Sequence, residues 1–178
     1  MTTTLSIEDV KAKIRAVPNF PKEGIIFRDI TTGIKDGKTM QFMIDYLCDQ
    51  FKDYRIDYIA GIESRGFIFG MPMAYKLGCG FIPIRKPNKL PAQTISESYG
   101  LEYGKDTIEI HTDAIEKGAN VLIVDDLLAT GGTAAAACNL VKKVGGNLVG
   151  AAFLIELKDL KGRDKLYNCG KIVSMLEY

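Results

Sequence analysis

The residues of this chain best suited to chemistry stand together in Asp125-Asp126-Leu127-Leu128-Ala129-Thr130-Gly131-Gly132-Thr133. Gly131 and Gly132 let the backbone turn so that successive N–H groups converge on one anion. Thr130 and Thr133 add hydroxyl donors. No Gly-Lys-Ser/Thr is present, so the loop is not of the Walker type; amides alone can hold a monophosphate. Asp125 and Asp126 would repel a phosphate lying on them and suit sugar hydroxyls instead, because carboxylates are strong acceptors. The implied ligand is a ribose 5-phosphate, with its phosphate in the glycine loop and its 2′ and 3′ hydroxyls on the two acids. Two adjacent aspartates alone fit an ordinary polar turn equally well. It is the whole run from Val121 to Thr133 that selects the phosphate reading.

The flanking residues must position that loop. Val121-Leu122-Ile123-Val124, three of the four β-branched, predict a buried parallel strand. Ala137, Leu140, Val141 and Val144 recur at helical spacing over 134–144. The order is therefore strand, acidic pair, glycine loop, helix N-terminus. Ligands in open α/β sheets sit beyond the carboxyl ends of strands, and a helix N-terminus is a ready anion site. A similar unit occurs earlier: a strand over 56–61 runs into Ile62-Glu63-Ser64-Arg65-Gly66-Phe67 and a helix to about Leu77. Its loop amides could form a second anion nest, with Arg65 adding charge at the rim.

Further strands are expected at 81–84, 107–112, 148–157 and 171–176, and a charged turn or short helix over 158–165. Residues 37–51 carry Met40, Met43, Ile44, Leu47, Cys48 and Phe51 on one helical face, where the methionines are core filler. Ser6 with Asp9 resembles a capping box, opening a helix expected to end near Pro18. Residues 19–31 are a loop leading into a short extended segment. Residues 91–105 form a polar hairpin or lid, with Glu102 on the solvent face by spacing alone.

Composition narrows the class. The chain has 178 residues, 47% hydrophobic and 25% charged, with a net charge of +1. That suits one soluble domain and gives no global pull toward nucleic acid or a membrane surface. No run approaches the roughly 20 apolar residues that span a bilayer, and Met-Thr-Thr-Thr-Leu-Ser lacks a secretory pattern. Cys48, Cys79, Cys138 and Cys169 are widely spaced, so free thiols and a reducing cytoplasm are expected. His111 is the only histidine and lies in a strand-like run, which disfavours a histidine dyad.

With these residues in view, Val121–Thr133 resembles the phosphoribosyl-pyrophosphate (PRPP) signature of the type I phosphoribosyltransferases. Val-Asp-Asp-Leu-Leu-Ala-Thr-Gly-Gly-Thr is similar to the form in adenine-using members. Three more blocks carry the same resemblance in the expected order: Pro21 to Thr31, Ile62 to Phe67, and the Ser-Tyr-x-Leu-Glu-Tyr-Gly run from Ser98. The resemblance implies an α/β fold with a central parallel sheet flanked by helices, a small N-terminal hood of about 1–35, a core of about 36–178, and a flexible β lid, all in one domain.

For the site, it implies ribose-phosphate binding by Asp125, Asp126, Ala129, Thr130, Gly131, Gly132 and Thr133. It implies pyrophosphate binding by Glu63, Ser64 and Arg65, with a cis Glu63–Ser64 peptide, and by Tyr103. Arg85, Lys86 and Lys89, by default a solvated loop, can meet pyrophosphate when placed at a strand end in this architecture. Ile26 and Phe27 would sandwich the purine, Arg28 would lie at its edge, and Glu102 would be the catalytic acid/base.

The expected reaction is adenine plus PRPP giving AMP and pyrophosphate. Mg²⁺ would be carried by PRPP, not by protein ligands. The expected partners are these two small molecules and a second copy of the chain, with Lys86 a candidate contributor across a homodimer interface; no nucleic acid or membrane partner is expected. Main-chain groups of the 26–28 segment could match the N6 donor and N1 acceptor of adenine, whereas a 6-oxo purine reverses that pattern. The alternatives are a 6-oxopurine or orotate transferase, which needs a different base pocket, and a PRPP- or nucleotide-sensing regulator on the same fold, which would lack a complete lid and carry a DNA-binding module.

Overall fold

The computed structural model describes residues 5–100 and 104–178. They form two compact units, Met1–Tyr46 and Leu47–Tyr178.

In the first unit, Ser6 caps α1 (Ile7–Lys13): its hydroxyl accepts from the Asp9 amide while the Asp9 carboxylate takes the Ser6 amide. The helix stops well short of Pro18. Arg15–Pro18 is instead β1, paired antiparallel with β2 (Ile26–Asp29), with Arg15 opposite Asp29. The ladder's hydrogen bonds and the Arg15–Asp29 ion pair outweigh the helical spacing of Ile14 and Val17. Asp29 also accepts from the Thr31 amide at 2.9 Å. The Thr31 side chain leads, with Arg15 second and the Thr31 amide third, in lowering the Asp29 carboxyl to a pKa of about 2. A short α2 (Thr31–Ile34) follows, then α3 (Gly37–Asp49), within which the two units divide.

The second unit is built on a five-stranded parallel sheet. Its strands are β3 (Tyr58–Ile62), β4 (Gly80–Ile84), β7 (Asn120–Leu128), β8 (Asn147–Glu156) and β9 (Lys171–Glu177), in the order β4-β3-β7-β8-β9. α4 (Gly66–Leu77) follows β3, and α5 (Gly132–Lys143) follows β7. Both faces of the sheet are covered, so β7 and β8 are apolar almost throughout: Val121–Val124 and Ala151–Ile155 are at most 1% exposed. The hairpin β5 (Thr94–Gly100) and β6 (Lys105–His111) is antiparallel and packs on α5, where Glu97 reaches Asn139 at 3.0 Å and Lys143 at 2.5 Å. An isolated Arg85–Glu109 bridge joins it to the end of β4.

Two expectations are corrected. β7 does not end at Val124 before the acidic pair but runs through Asp125 and Asp126 to Leu128, because pairing with β8 persists to Leu128–Glu156, so the loop is shorter than expected. Cys138 and Cys169 form a disulfide with Cα atoms 6.3 Å apart, while Cys48 and Cys79 are free. The pairing brings α5 to the segment before β9, a proximity that a spacing of 31 residues does not reveal. Two of the four cysteines are therefore not the free thiols expected of a reducing compartment. No described helix is long and apolar enough to cross a membrane.

Candidate active site

The carboxyl end of β7 and the start of α5 enclose a cavity of about 190 Å³, lined by Arg65 and by residues 125–134. All seven residues expected to hold the ribose phosphate are among its walls. Gly131 caps α5 at φ 77°, a left-handed conformation that glycine adopts without strain. The first amides of a helix have no partner within it, and Gly132, Thr133 and Ala134 of that first turn line this cavity.

The loop is held from below by a close backbone approach. A Cβ on Gly131 would lie 2.2 Å from the carbonyl oxygen of Gly162, and one on Gly162 would lie 2.1 Å from that of Ala129. Gly162 opens the second of two 3₁₀ turns, Lys158–Leu160 and Gly162–Leu166. Arg163 anchors that turn, donating to Glu156 at 3.1 and 2.5 Å and to the Ile172 carbonyl at 3.1 Å. Neither glycine's partner was legible in sequence, since Gly162 sits in a run of charged residues that reads as a simple surface turn.

The two aspartates are not equivalent. Successive strand residues point to opposite faces. Asp126 is 6% exposed and paired with Arg65 at 2.6 Å. Asp125 keeps a partial opening to solvent, but protein crowds the rest of its carboxyl. Its Oδ1 accepts from the Asp126 amide at 2.8 Å, and the α4 N-terminus approaches so closely that a Cβ on Gly66 would lie 3.1 Å from that oxygen. Desolvation first, and the neighbouring Asp126 charge second, push the Asp125 carboxyl well above the usual carboxylate range. A polyol bound here would supply the donors this acid lacks.

A second cluster lies between the ends of β3 and β4. The Glu63–Ser64 peptide is cis. The Glu63 carboxylate accepts from Arg85 Nε and Nη2, both at 3.1 Å, and from the Lys86 amide at 2.9 Å. The Arg85 bonds lead in holding its carboxyl below the ordinary range. Arg85 also donates to the Lys89 carbonyl at 3.3 Å. Glu63 thus shapes the cationic loop, while Arg65 neutralises Asp126. Lys86 Nζ engages Asp106 of its own chain, and Tyr99 donates to the same carboxylate oxygen at 2.9 Å. Sequence reasoning missed Tyr99 and Asp106. The alternation of β6 was visible, but not the register that sets these two opposite each other.

Ile26, Phe27 and Arg28 lie on β2 of the first unit. Ile26 is 53% exposed, and Phe27 stacks edge-on against Phe20 with ring centroids 5.3 Å apart. Glu102 and Tyr103 lie outside the described residues. A larger cleft, about 370 Å³, opens at the amino ends of β3 and β7 between Arg55, Asp57, Tyr58, Glu116, Lys117 and Asn120. It contains no glycine-rich helix start, so size alone does not mark the site.

The profile of the phosphoribosyl transferase domain matches residues 33–176. An adenine phosphoribosyltransferase of Trichodesmium erythraeum is 56% identical over 170 residues, covering 96% of this chain and 99% of the relative. The crystal structure of adenine phosphoribosyltransferase from Thermoanaerobacter pseudethanolicus superposes with a TM-score of 0.94 at 49% identity, covering 97% and 100% of the two chains. That from Saccharomyces cerevisiae, complexed with an imino-altritol bisphosphate and adenine, superposes at 0.90 with 44% identity, covering 96% and 98%.

Proposed function

The chain belongs to the phosphoribosyltransferase family, and from that premise we propose that it transfers the 5-phosphoribosyl group of PRPP to adenine, giving AMP and pyrophosphate. The observation that carries this reading is the cradle at the end of β7: two carboxylates followed by a glycine-capped helix start, in one cavity. Asp125 and Asp126 take the ribose hydroxyls, and Ala129 to Thr133 take the 5-phosphate. Arg85, Lys86 and Lys89 face the pyrophosphate, with Glu63, Ser64, Arg65 and Tyr103 around it. Ile26, Phe27 and Arg28 meet the base.

In the transfer, adenine N9 forms a bond to C1′ as the C1′–O bond to pyrophosphate breaks, and the N9 proton passes to Glu102. Positive charge builds on the ribose ring, so little covalent chemistry is asked of the protein. Positioning, neutralisation of the leaving group and exclusion of water supply the rate. Mg²⁺ belongs to this proposal as a companion of PRPP that neutralises pyrophosphate charge. The residues fit a metal that arrives with substrate, since Arg65 occupies Asp126 and Arg85 occupies Glu63. A homodimer and a cytoplasmic setting, where both soluble substrates meet, complete the proposal.

The test is PRPP-dependent turnover with adenine, hypoxanthine, guanine and orotate. Adenine alone should be consumed at an appreciable rate. Turnover with a 6-oxopurine or orotate and none with adenine would move the assignment to another branch, and no turnover with any base would favour a sensor.

A further inference from the structure

We infer that Asp106 is a positioning residue for the transfer, holding the Lys86 ammonium where it meets pyrophosphate. The inference rests on the transferase reading above and adds a residue to it.

Asp106 stands at the start of β6, directly opposite Tyr99 of β5 in the ladder. Side chains so paired share one face of the hairpin. One carboxylate oxygen, Oδ1, is taken by the Thr107 amide at 2.8 Å. The other, Oδ2, accepts from both Lys86 Nζ and Tyr99 Oη. Tyr99 is itself held against α5: its ring lies where a Cβ on Gly132 would come within 3.1 Å of it. The Lys86 ammonium also lies 6.0 Å from the centroid of that ring. A chain of contacts thus runs from the first turn of α5 through Tyr99 and Asp106 to Lys86.

A lysine is a point charge on a flexible stem and loses much rotamer freedom when it must hold one place. Asp106 removes that freedom before substrate arrives. An ammonium has three N–H donors, so the one given to Asp106 leaves two for pyrophosphate oxygens. Glu63 does the same for Arg85 from the other side of the loop. Each cation is held by one carboxylate, and the two carboxylates come from different elements.

The test compares Asp106→Asn with wild type in the full chain with Mg-PRPP. The amide keeps the shape and removes the charge. KM for PRPP should rise about tenfold, with kcat and KM for adenine within about twofold. Tyr99→Phe, which deletes only the bridging hydroxyl, should raise KM for PRPP about threefold. In a Lys86→Met background both changes should add less than twofold, because the group they position is gone. A tenfold effect of Asp106→Asn that persists in Lys86→Met would overturn the inference, as would an unchanged KM in Asp106→Asn. If Asp106→Asn melts far below wild type, Tyr99→Phe decides: an unchanged KM in that variant also overturns it. Calorimetric binding of PRPP alone reads the same differences without a base. A failure of the adenine assignment therefore shows in wild-type turnover, and a failure of this inference shows in PRPP affinity.

Discussion

Replacing Gly162 with Ala tests whether the phosphate loop is supported from beneath. Its added methyl would lie 2.1 Å from the Ala129 carbonyl oxygen and 2.8 Å from the Gly131 nitrogen, both main-chain atoms. An ordinary carbon–oxygen contact needs about an ångström more than the shorter of these. The 3₁₀ turn cannot readily supply it, because Arg163 ties the next residue to Glu156 and to the Ile172 carbonyl. The loop therefore moves, and its amides leave the positions proposed to hold phosphate. Overpacking of this kind costs about 1–3 kcal/mol, or about 3–10 °C in Tm for a chain of this size. A displacement near 1 Å in a substrate-holding group lowers kcat/KM by about 100-fold. The assay is steady-state kinetics with PRPP varied, beside a thermal melt. Gly37→Ala is the control: a Cβ there meets nothing within 4 Å, and its backbone is helical. That variant should melt at or slightly above wild type and react normally. A Gly162→Ala protein with wild-type KM for PRPP and unchanged Tm would refute the support role.

Asp125→Asn should raise the Tm of the unliganded protein at pH 7 while weakening PRPP binding about 10- to 100-fold, the loss of a charged acceptor. The sign follows from the raised carboxyl of Asp125. Its contribution to stability declines as pH climbs above the ordinary carboxylate value through the folded one, and Asn escapes that decline. The Tm gain should therefore vanish near pH 3, as melts across pH would read. Arg163→Ala should destabilise by about 2 kcal/mol at pH 7, since Glu156 is 4% exposed and loses its cation. Arg163 leads in holding the Glu156 carboxyl below its usual range. The pair's contribution is present above that range and lost as pH falls through the folded value. Urea unfolding should show the gap between variant and wild type closing as the pH is lowered toward 3.

What could be read from sequence depended on how local the signal was. Val121 to Thr133 is one contiguous strand, loop and helix start, and each of its parts announces itself by residue type. The Asp125–Asp126 pair was legible as chemistry but not as strand, because what extends β7 to Leu128 is pairing with Phe153, Ile155 and Glu156 of another strand. Ile14 and Val17 fitted a helix until β2 offered Ala16 and Val17 a ladder. The supports of the site were the least visible. Gly162 lies 31 residues from Gly131, Asp106 lies 20 from Lys86, and Cys138 lies 31 from Cys169. Nothing in spacing or composition couples such pairs. The packing of the segment before β9 against α5, and of β6 against the end of β4, brings them together.

The central claim is that the carboxyl end of β7 holds the ribose-phosphate end of the substrate. Amide NMR of the proposed dimer, two chains of 19.6 kDa, titrated with ribose 5-phosphate, addresses that claim directly. The largest and saturable shifts should fall on Asp125, Asp126 and the amides of Ala129 to Ala134, and they should be lost in Asp125→Asn. Shifts centred instead on Arg55, Lys117 and Asn120, at the opposite end of the strands, would contradict it.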